Sequence, residues 1–249
     1  MSKPNLSEEA FLANYNVHNY DVPLTSVDLA IFTVRDGALQ VLLVKRGEHP
    51  FKGKWSLPGG FINLQTDVDL DAAAMRKLQQ KTGVKAPYLE QLQGFGNATR
   101  DPRGWSTTFA YFALIASDNI ALNHGAGAEA VRWLTLDGVA IEALAFDHDL
   151  ILDTALKRLR NKVEYTSLPA HLLPAEFTLA DLQQTYQTVL ARALDKSAFR
   201  KRIREGDFLE AVTDRFRLGS NRPAQLYRLR KDHGTVYFNR VMGSERSPT

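Results

Sequence analysis

The 249-residue chain contains no cysteine. That absence excludes disulfides, thiolate zinc sites and cysteine nucleophiles, and it leaves the redox compartment open while fitting a reducing cytosol. Long apolar runs are missing as well: no stretch approaches the roughly 20 residues that span a bilayer. The opening MSKPNLSEEAFLANYN carries acidic and amide residues where a secretory signal needs an apolar core. The expected location is the cytoplasm, with no membrane partner. Net charge is nearly absent too, at +3 from 31 basic and 28 acidic residues. Its distribution is uneven. Residues 1–153 hold 13 basic and 18 acidic side chains, and residues 154–249 hold 18 and 10. An acidic half and a basic half predict two domains with different partners, the basic one suited to a polyanion such as nucleic acid.

A polar leader, residues 1–24, contains one short helical stretch with Ser7 as its cap. Thr25 to Val34 and Leu39 to Val44 are apolar, β-branched runs around Arg35-Asp36-Gly37-Ala38, a hairpin signal. Trp55 to Leu57 extends the sheet, and Pro58-Gly59-Gly60 reads as a turn that lets backbone approach closely whatever lies above it. Helix formers fill Asp69 to Thr82, with Gly83 just past the end. Leu70, Ala74 and Leu78 recur every four residues and should face a core. Strand-like runs follow at Tyr88 to Phe95, Thr107 to Ala116 and Val131 to Leu134. Strands flanking a helix in this order predict a mixed α/β domain over residues 25–145.

The segment from Gly60 to Val84 resembles a Nudix box, a glycine loop followed by a helix bearing an arginine and a set of glutamates. Gly60, Arg76, Leu78 and Gly83-Val84 match the pattern. Its glutamates fall instead on Lys77, Gln80 and Lys81, and the spacing from Gly60 to Arg76 is two residues too long. Positions i, i+3 and i+4 share one helical face. Three carboxylates there would bind divalent cations; Lys, Gln and Lys swing that face from −3 to +2 and should repel them. Asp67, Asp69 and Asp71, at alternate positions at the helix start, are expected to cap it and offset its dipole. The expectation is therefore no catalytic residue, no metal and no cofactor. Lys77 and Lys81 either hold a pyrophosphate where metal charge would have been or are solvated surface lysines.

Arg100-Asp101-Pro102-Arg103-Gly104 is a rigid charged turn between two strands, suited to phosphate or ribose recognition. Similar stretches occur in ADP-ribose-handling Nudix domains. Arg46 and Trp55 flank the same loop, as a phosphate contact and a base-stacking surface, although core packing also accounts for Trp55. With Gly60 and Phe61 of the glycine loop, the expected ligand contacts are Arg46, Trp55, Gly60, Phe61, Lys77, Lys81, Arg100, Asp101 and Arg103.

In the basic half, residues 146–164 read as a connecting helix with Asp147 as cap and Leu150, Ile151, Ala155 and Leu159 at helical spacing. His148 is expected to cap or pack. The rest, residues 165–249, begins with a helix capped by Thr178 whose Leu182, Tyr186 and Val189 face one way. A tight link then leads to SAFRKRIRE, a basic helix anchored by Phe199 and Ile203. Helix, short turn and basic helix form a helix-turn-helix pattern. Strands at Phe208 to Thr213 and Gln225 to Arg230 bracket a basic loop that reads as a wing, and Val236 to Phe238 reads as a third strand. Expected DNA contacts are Ser197, Arg200, Lys201, Arg202 and Arg204 on the helix and Arg215, Arg217 and Arg222 on the wing.

The degenerate box, the RDPRG loop, LAFDHDLIL (Leu144 to Leu152), LDKSAFRKRI (Leu194 to Ile203) and RPAQLYRL (Arg222 to Leu229) together resemble the Nudix-related transcriptional regulators of NAD metabolism. The resemblance implies an α/β Nudix fold joined to a winged helix-turn-helix domain. It also implies a homodimeric repressor of NAD biosynthesis or salvage genes, bound to double-stranded operator DNA and released by ADP-ribose. Two other readings stay open: an active Nudix ADP-ribose pyrophosphatase fused to a DNA-binding domain, and a nucleotide-independent nucleic-acid binder whose Nudix fold serves only for dimerisation.

Overall fold

The computed structural model describes residues 7–84, 88–119, 128–136, 143–218, 223–231 and 234–239. Helix α1 (Glu8–Asn14) is capped by the Ser7 side chain, which accepts from the Ala10 amide at 3.2 Å. Strands β1 (Leu24–Arg35) and β2 (Ala38–Arg46) form the expected hairpin, with Asp36 and Gly37 both at positive φ. Next come β3 (Trp55–Ser56), β4 (Gly59–Phe61) and α2 (Leu70–Thr82). The Gly-Gly segment is thus a short strand rather than a turn, because it pairs with Ser26–Asp28 of β1. Strands β5 (Tyr88–Asn97), β6 (Ser106–Leu114) and β7 (Ala128–Thr135) complete the sheet, which has seven strands among the described residues. Its main path runs β3-β2-β1-β6-β5; β1 and β6 are parallel and the other pairings antiparallel.

Period-two alternation splits β1 between two cores. Val27, Leu29 and Ile31 pack with Ala73, Ala74 and Leu78 of α2, and Ala30 and Phe32 face the opposite side. That second side is covered by α3 (His148–Val163), through buried Ile151, Leu152, Ala155, Leu159 and Val163. Leu150, expected inward, is exposed. Each fully buried Leu or Ile contributes about 1.5–3 kcal/mol.

The C-terminal part begins with β8 (Phe177–Thr178) and α4 (Leu179–Leu190), where Thr178 and Asp181 form a reciprocal capping box. Helix α5 (Lys196–Gly206) follows a short link, capped by Asp195 through the Ala198 amide at 2.7 Å. Strands β9 (Leu209–Arg217) and β10 (Ala224–Leu229) form the wing hairpin. The third strand of this sheet is β8 and not Val236 to Phe238. The latter segment instead runs back to the end of α3, the Phe238 amide donating to the Tyr165 carbonyl at 2.7 Å and Tyr237 bridging to Thr166. The α3 helix is tied to α4 as well: Arg160 Nε donates to the Val189 carbonyl at 3.1 Å, and the buried Tyr186 hydroxyl donates to the Thr166 carbonyl at 2.6 Å.

Candidate functional site

A cavity of about 220 Å³ opens where β1, β4, the β5–β6 connection and the start of α3 converge. Arg46, Gly60, Phe61, Arg100, Asp101 and Arg103 line it. The register that sets Asp28 opposite Gly59 builds its floor. A Cβ on Gly59 would stand 1.9 Å from Asp28 Oδ1 and 2.6 Å from the Val27 carbonyl oxygen, so no side chain fits. Gly60, at φ 143°, crosses above Lys77, whose Nζ would lie 2.7 Å from a Cβ placed there.

The three arginines differ in how they are neutralised. Arg100 is 7% exposed; its Nε and Nη2 donate to the two carboxylate oxygens of Asp147 at 2.9 and 2.8 Å, and Nη2 lies 3.6 Å from Asp28. Arg103 donates to Asp101 at 2.7 Å and sits over the Phe61 ring, 5.0 Å from its centroid. Burial pushes the Asp101 carboxyl up, but the hydrogen bonds from Arg103 outweigh it and hold the group below its usual range. Arg46 donates to the Pro50 carbonyl at 2.7 Å and covers the Phe146 ring at 4.8 Å, with no carboxylate in ion-pair contact among the described residues. Burial and then repulsion from Arg103 lower its pKa. Arg46 is therefore the lining cation with the most charge left for an incoming anion.

At the start of α3, Phe146 and His148 line this cavity, and Asp147 between them is joined to it through Arg100. Phe146 lines it in a left-handed conformation, φ 61°, which is costly for a bulky side chain. Asp147 occupies the N-cap position but makes no side-chain capping bond, because Arg100 takes its carboxylate; the capping role expected of it is thus not fulfilled. His148 packs as expected: its Nδ1 accepts from the Leu57 amide at 2.9 Å, Nε2 lies 3.6 Å from Asp28, and burial lowers its pKa.

Trp55, Lys77 and Lys81 lie outside the cavity lining. Trp55 is half-buried against the core and carries the Arg132 guanidinium 4.1 Å above its ring. Lys77 and Lys81 are both half-buried, and burial is the main cause that lowers each pKa, which does not suit freely solvated lysines. Of the three aspartates at the start of α2, only Asp69 caps, accepting from the Ala72 amide at 2.7 Å. Asp67 instead grips Arg76, whose Nε donates at 2.6 Å, and Asp71 accepts from the Tyr111 hydroxyl at 2.6 Å.

On the basic face, Phe199 and Ile203 anchor α5 at 2% and 3% exposure, against Tyr186 among others. Ser197, Arg200, Lys201 and Arg204 are exposed on its outer side. Arg202 is instead half-buried, and its charge acts on the buried Tyr186 hydroxyl. Arg215 and Arg217 belong to β9 rather than to the wing loop, and both are paired, with Glu176 at 3.1 Å and Asp181 at 2.7 Å. Arg222 lies outside the described residues.

Asp28 and Phe146 were missed in reading the sequence. Asp28 had a signal, a carboxylate in the middle of the apolar run TSVDLAIFTV that only a polar neighbourhood tolerates. Phe146 had none, since its contact with Arg46 joins residues a hundred positions apart.

Comparison with known proteins supplies a context for both surfaces. Residues 25–155 match the NUDIX domain and residues 169–229 the NrtR DNA-binding winged helix domain. The chain is 46% identical over 238 residues to the ADPR responsive transcriptional repressor NtrR of Acinetobacter baylyi, covering 95% of this chain and 94% of that protein. Shewanella oneidensis NrtR complexed with a 27mer DNA has 39% identity and a TM-score of 0.80, over 88% of this chain and 99% of that one. The NUDIX domain of Shewanella NrtR complexed with ADP ribose has 43% identity and a TM-score of 0.58, over 62% and 99%. A Nudix fold followed by a winged helix of this type, with identity along nearly the whole chain, places this protein in the NrtR family of transcriptional regulators.

Proposed function

We propose that the protein is an ADP-ribose-responsive transcriptional repressor in which residues 25–145 sense the nucleotide, 146–164 connect, and 165–249 bind operator DNA. The observation that carries this reading is the presence, in one chain, of an arginine-lined cavity built against the first turn of α3 and a helix, α5, whose outer cations are largely uncompensated. The relatives complexed with ADP ribose and with DNA support it. Arg46 offers charge to the pyrophosphate, Arg103 and Asp101 frame the rim beside Phe61, and Lys77 adds positive potential beneath Gly60, with Lys81 near enough to repel it. One α5 helix makes few base contacts, so the chain acts as a homodimer on a palindromic operator, in the cytoplasm, upstream of NAD biosynthesis or salvage genes.

The α2 face does not fit a divalent cation. A half-buried ammonium at Lys77 occupies the position, and the carboxylates of Asp67 and Asp71 are engaged by Arg76 and Tyr111. Catalysis of pyrophosphate hydrolysis is therefore not part of the function. Calorimetry with ADP-ribose, with and without Mg²⁺, combined with operator binding, tests the proposal. Binding without turnover, with DNA released at saturating ADP-ribose, is expected; turnover at rates normal for a hydrolase, or DNA affinity indifferent to the nucleotide, refutes it.

A further inference from the structure

The start of α3 is fastened to the cavity by three contacts in a row: Arg46 over Phe146, Arg100 clamped on Asp147, and His148 accepting the Leu57 amide. Two of these involve cations that line the cavity, where an anion binds. A bidentate arginine–carboxylate pair has one optimal geometry, and a pyrophosphate oxygen presents the same acceptor chemistry. We infer that Asp147 is a positioning residue that competes with the ligand's phosphate for Arg100, and that losing the contest lets its carboxylate cap α3.

The two states of Asp147 differ in named bonds. Clamped, it neutralises Arg100 and leaves α3 without a side-chain cap. Released, it sits at the N-cap, where an aspartate is among the preferred residues and its side chain can take the Asp149 amide, the His148 and Leu150 amides already donating to the Ala145 and Asp147 carbonyls. The shift falls next to Phe146, whose left-handed backbone marks the point where the chain enters α3. At its other end α3 holds α4 through Arg160 and, through Thr166, Tyr186. The helix-turn-helix therefore follows the first turn of α3. This is a differential contact of the kind a ligand needs in order to shift an equilibrium.

The inference rests on the ADP-ribose-responsive reading, and the experiment separates the two. DNA affinity is measured with and without saturating ADP-ribose, and ADP-ribose affinity by calorimetry, for the wild-type protein, Asp147→Asn and Asp147→Glu. If wild-type DNA affinity ignores ADP-ribose, the functional reading fails. If it responds by about fivefold or more, as couplings of this kind do, the variants decide the rest. Asparagine still caps but cannot neutralise Arg100. Asp147→Asn should bind ADP-ribose about tenfold more tightly, hold DNA more weakly without nucleotide, and show a response ratio near one; Asp147→Glu, which keeps the charge for Arg100 but caps poorly, should bind ADP-ribose no more tightly than wild type. A gain in ligand affinity cannot come from a damaged fold. Wild-type affinity and response ratio in Asp147→Asn overturn the inference. Hydrogen exchange on the wild type gives an independent reading: the His148 and Leu150 amides already donate to the Ala145 and Asp147 carbonyls, so ADP-ribose should slow exchange at Asp149, and unchanged exchange there also overturns it.

Discussion

Replacing Arg200 by Ala removes an exposed cation of α5 that has no ion-pair partner among the described residues, whereas replacing Arg217 removes one already held by Asp181 at 2.7 Å. The two substitutions delete the same formal charge, yet they should affect DNA binding differently. A cation that meets a phosphate releases a counterion, so log K falls with log salt by about 0.9 per contact. In a dimer Arg200→Ala deletes two such contacts. The slope should become shallower by about 1.8, and affinity at 0.1 M salt should fall about 60-fold. For Arg217, contact with a phosphate must first free Asp181, which then recruits a cation of its own and offsets the release. Arg217→Ala should therefore change the slope by well under half as much. Operator titrations by anisotropy at four salt concentrations measure both, and an exposed Arg→Ala leaves stability within about 0.5 kcal/mol. Equal slope changes for the two variants would refute the pairing argument; no change in either would remove Arg200 from the interface.

Three further outcomes follow from the same geometry. Gly59→Ala forces a methyl group into Asp28 Oδ1 and should cost about 1–3 kcal/mol in urea unfolding, together with ADP-ribose binding; a cost under about 0.5 kcal/mol contradicts the cavity floor. Lys77→Glu with Lys81→Glu should weaken ADP-ribose about tenfold or more without metal, through the charge reversal on the α2 face whose Lys77 lies beneath Gly60, and unchanged affinity makes both lysines spectators. Burial lowers the pKa of His148 and His171 below 6.5, so both are neutral when folded and protonate more readily when unfolded. Their contribution is whole above pH 6.5 and is lost as pH falls below it. The unfolding free energy should drop by up to about 1.4 kcal/mol per pH unit per histidine, and His148→Gln should roughly halve that slope.

What was legible in the sequence was local. The Asp36-Gly37 hairpin, α2 between Asp69 and Gly83, and α4 after Thr178 each carry their start and stop signals within a few residues, and all formed as expected. Interactions across long separations were not legible. Asp147 was expected to cap by its position, but a guanidinium 47 residues earlier takes its carboxylate. The third strand of the wing sheet came from Phe177–Thr178, ahead of α4, because pairing partners are chosen by the packed core rather than by order along the chain. The cavity falls between these cases. Arg46, Gly60, Phe61, Arg100, Asp101 and Arg103 were named from motif and do converge, yet nothing local revealed which of the arginines would already be neutralised.

That distinction bears on how the protein would work as a switch. The proposed effector is held in a recess whose arginines run from buried Arg100 through half-buried Arg46 to exposed Arg103, where salt screens less than on open surface, and the operator by exposed cations on α5, where screening is strong. Rising ionic strength should therefore weaken the DNA complex far more than the nucleotide complex, and the ADP-ribose concentration that releases half of the operator should fall with salt. By linkage the coupling between the two ligands is one free energy seen from either side. Salt then moves the operating point through the DNA term and leaves the device at Arg100 and Asp147 untouched. A half-release concentration that stays constant while operator affinity drops would mean that the two sites share exposed cations, contrary to the separation between the cavity and α5.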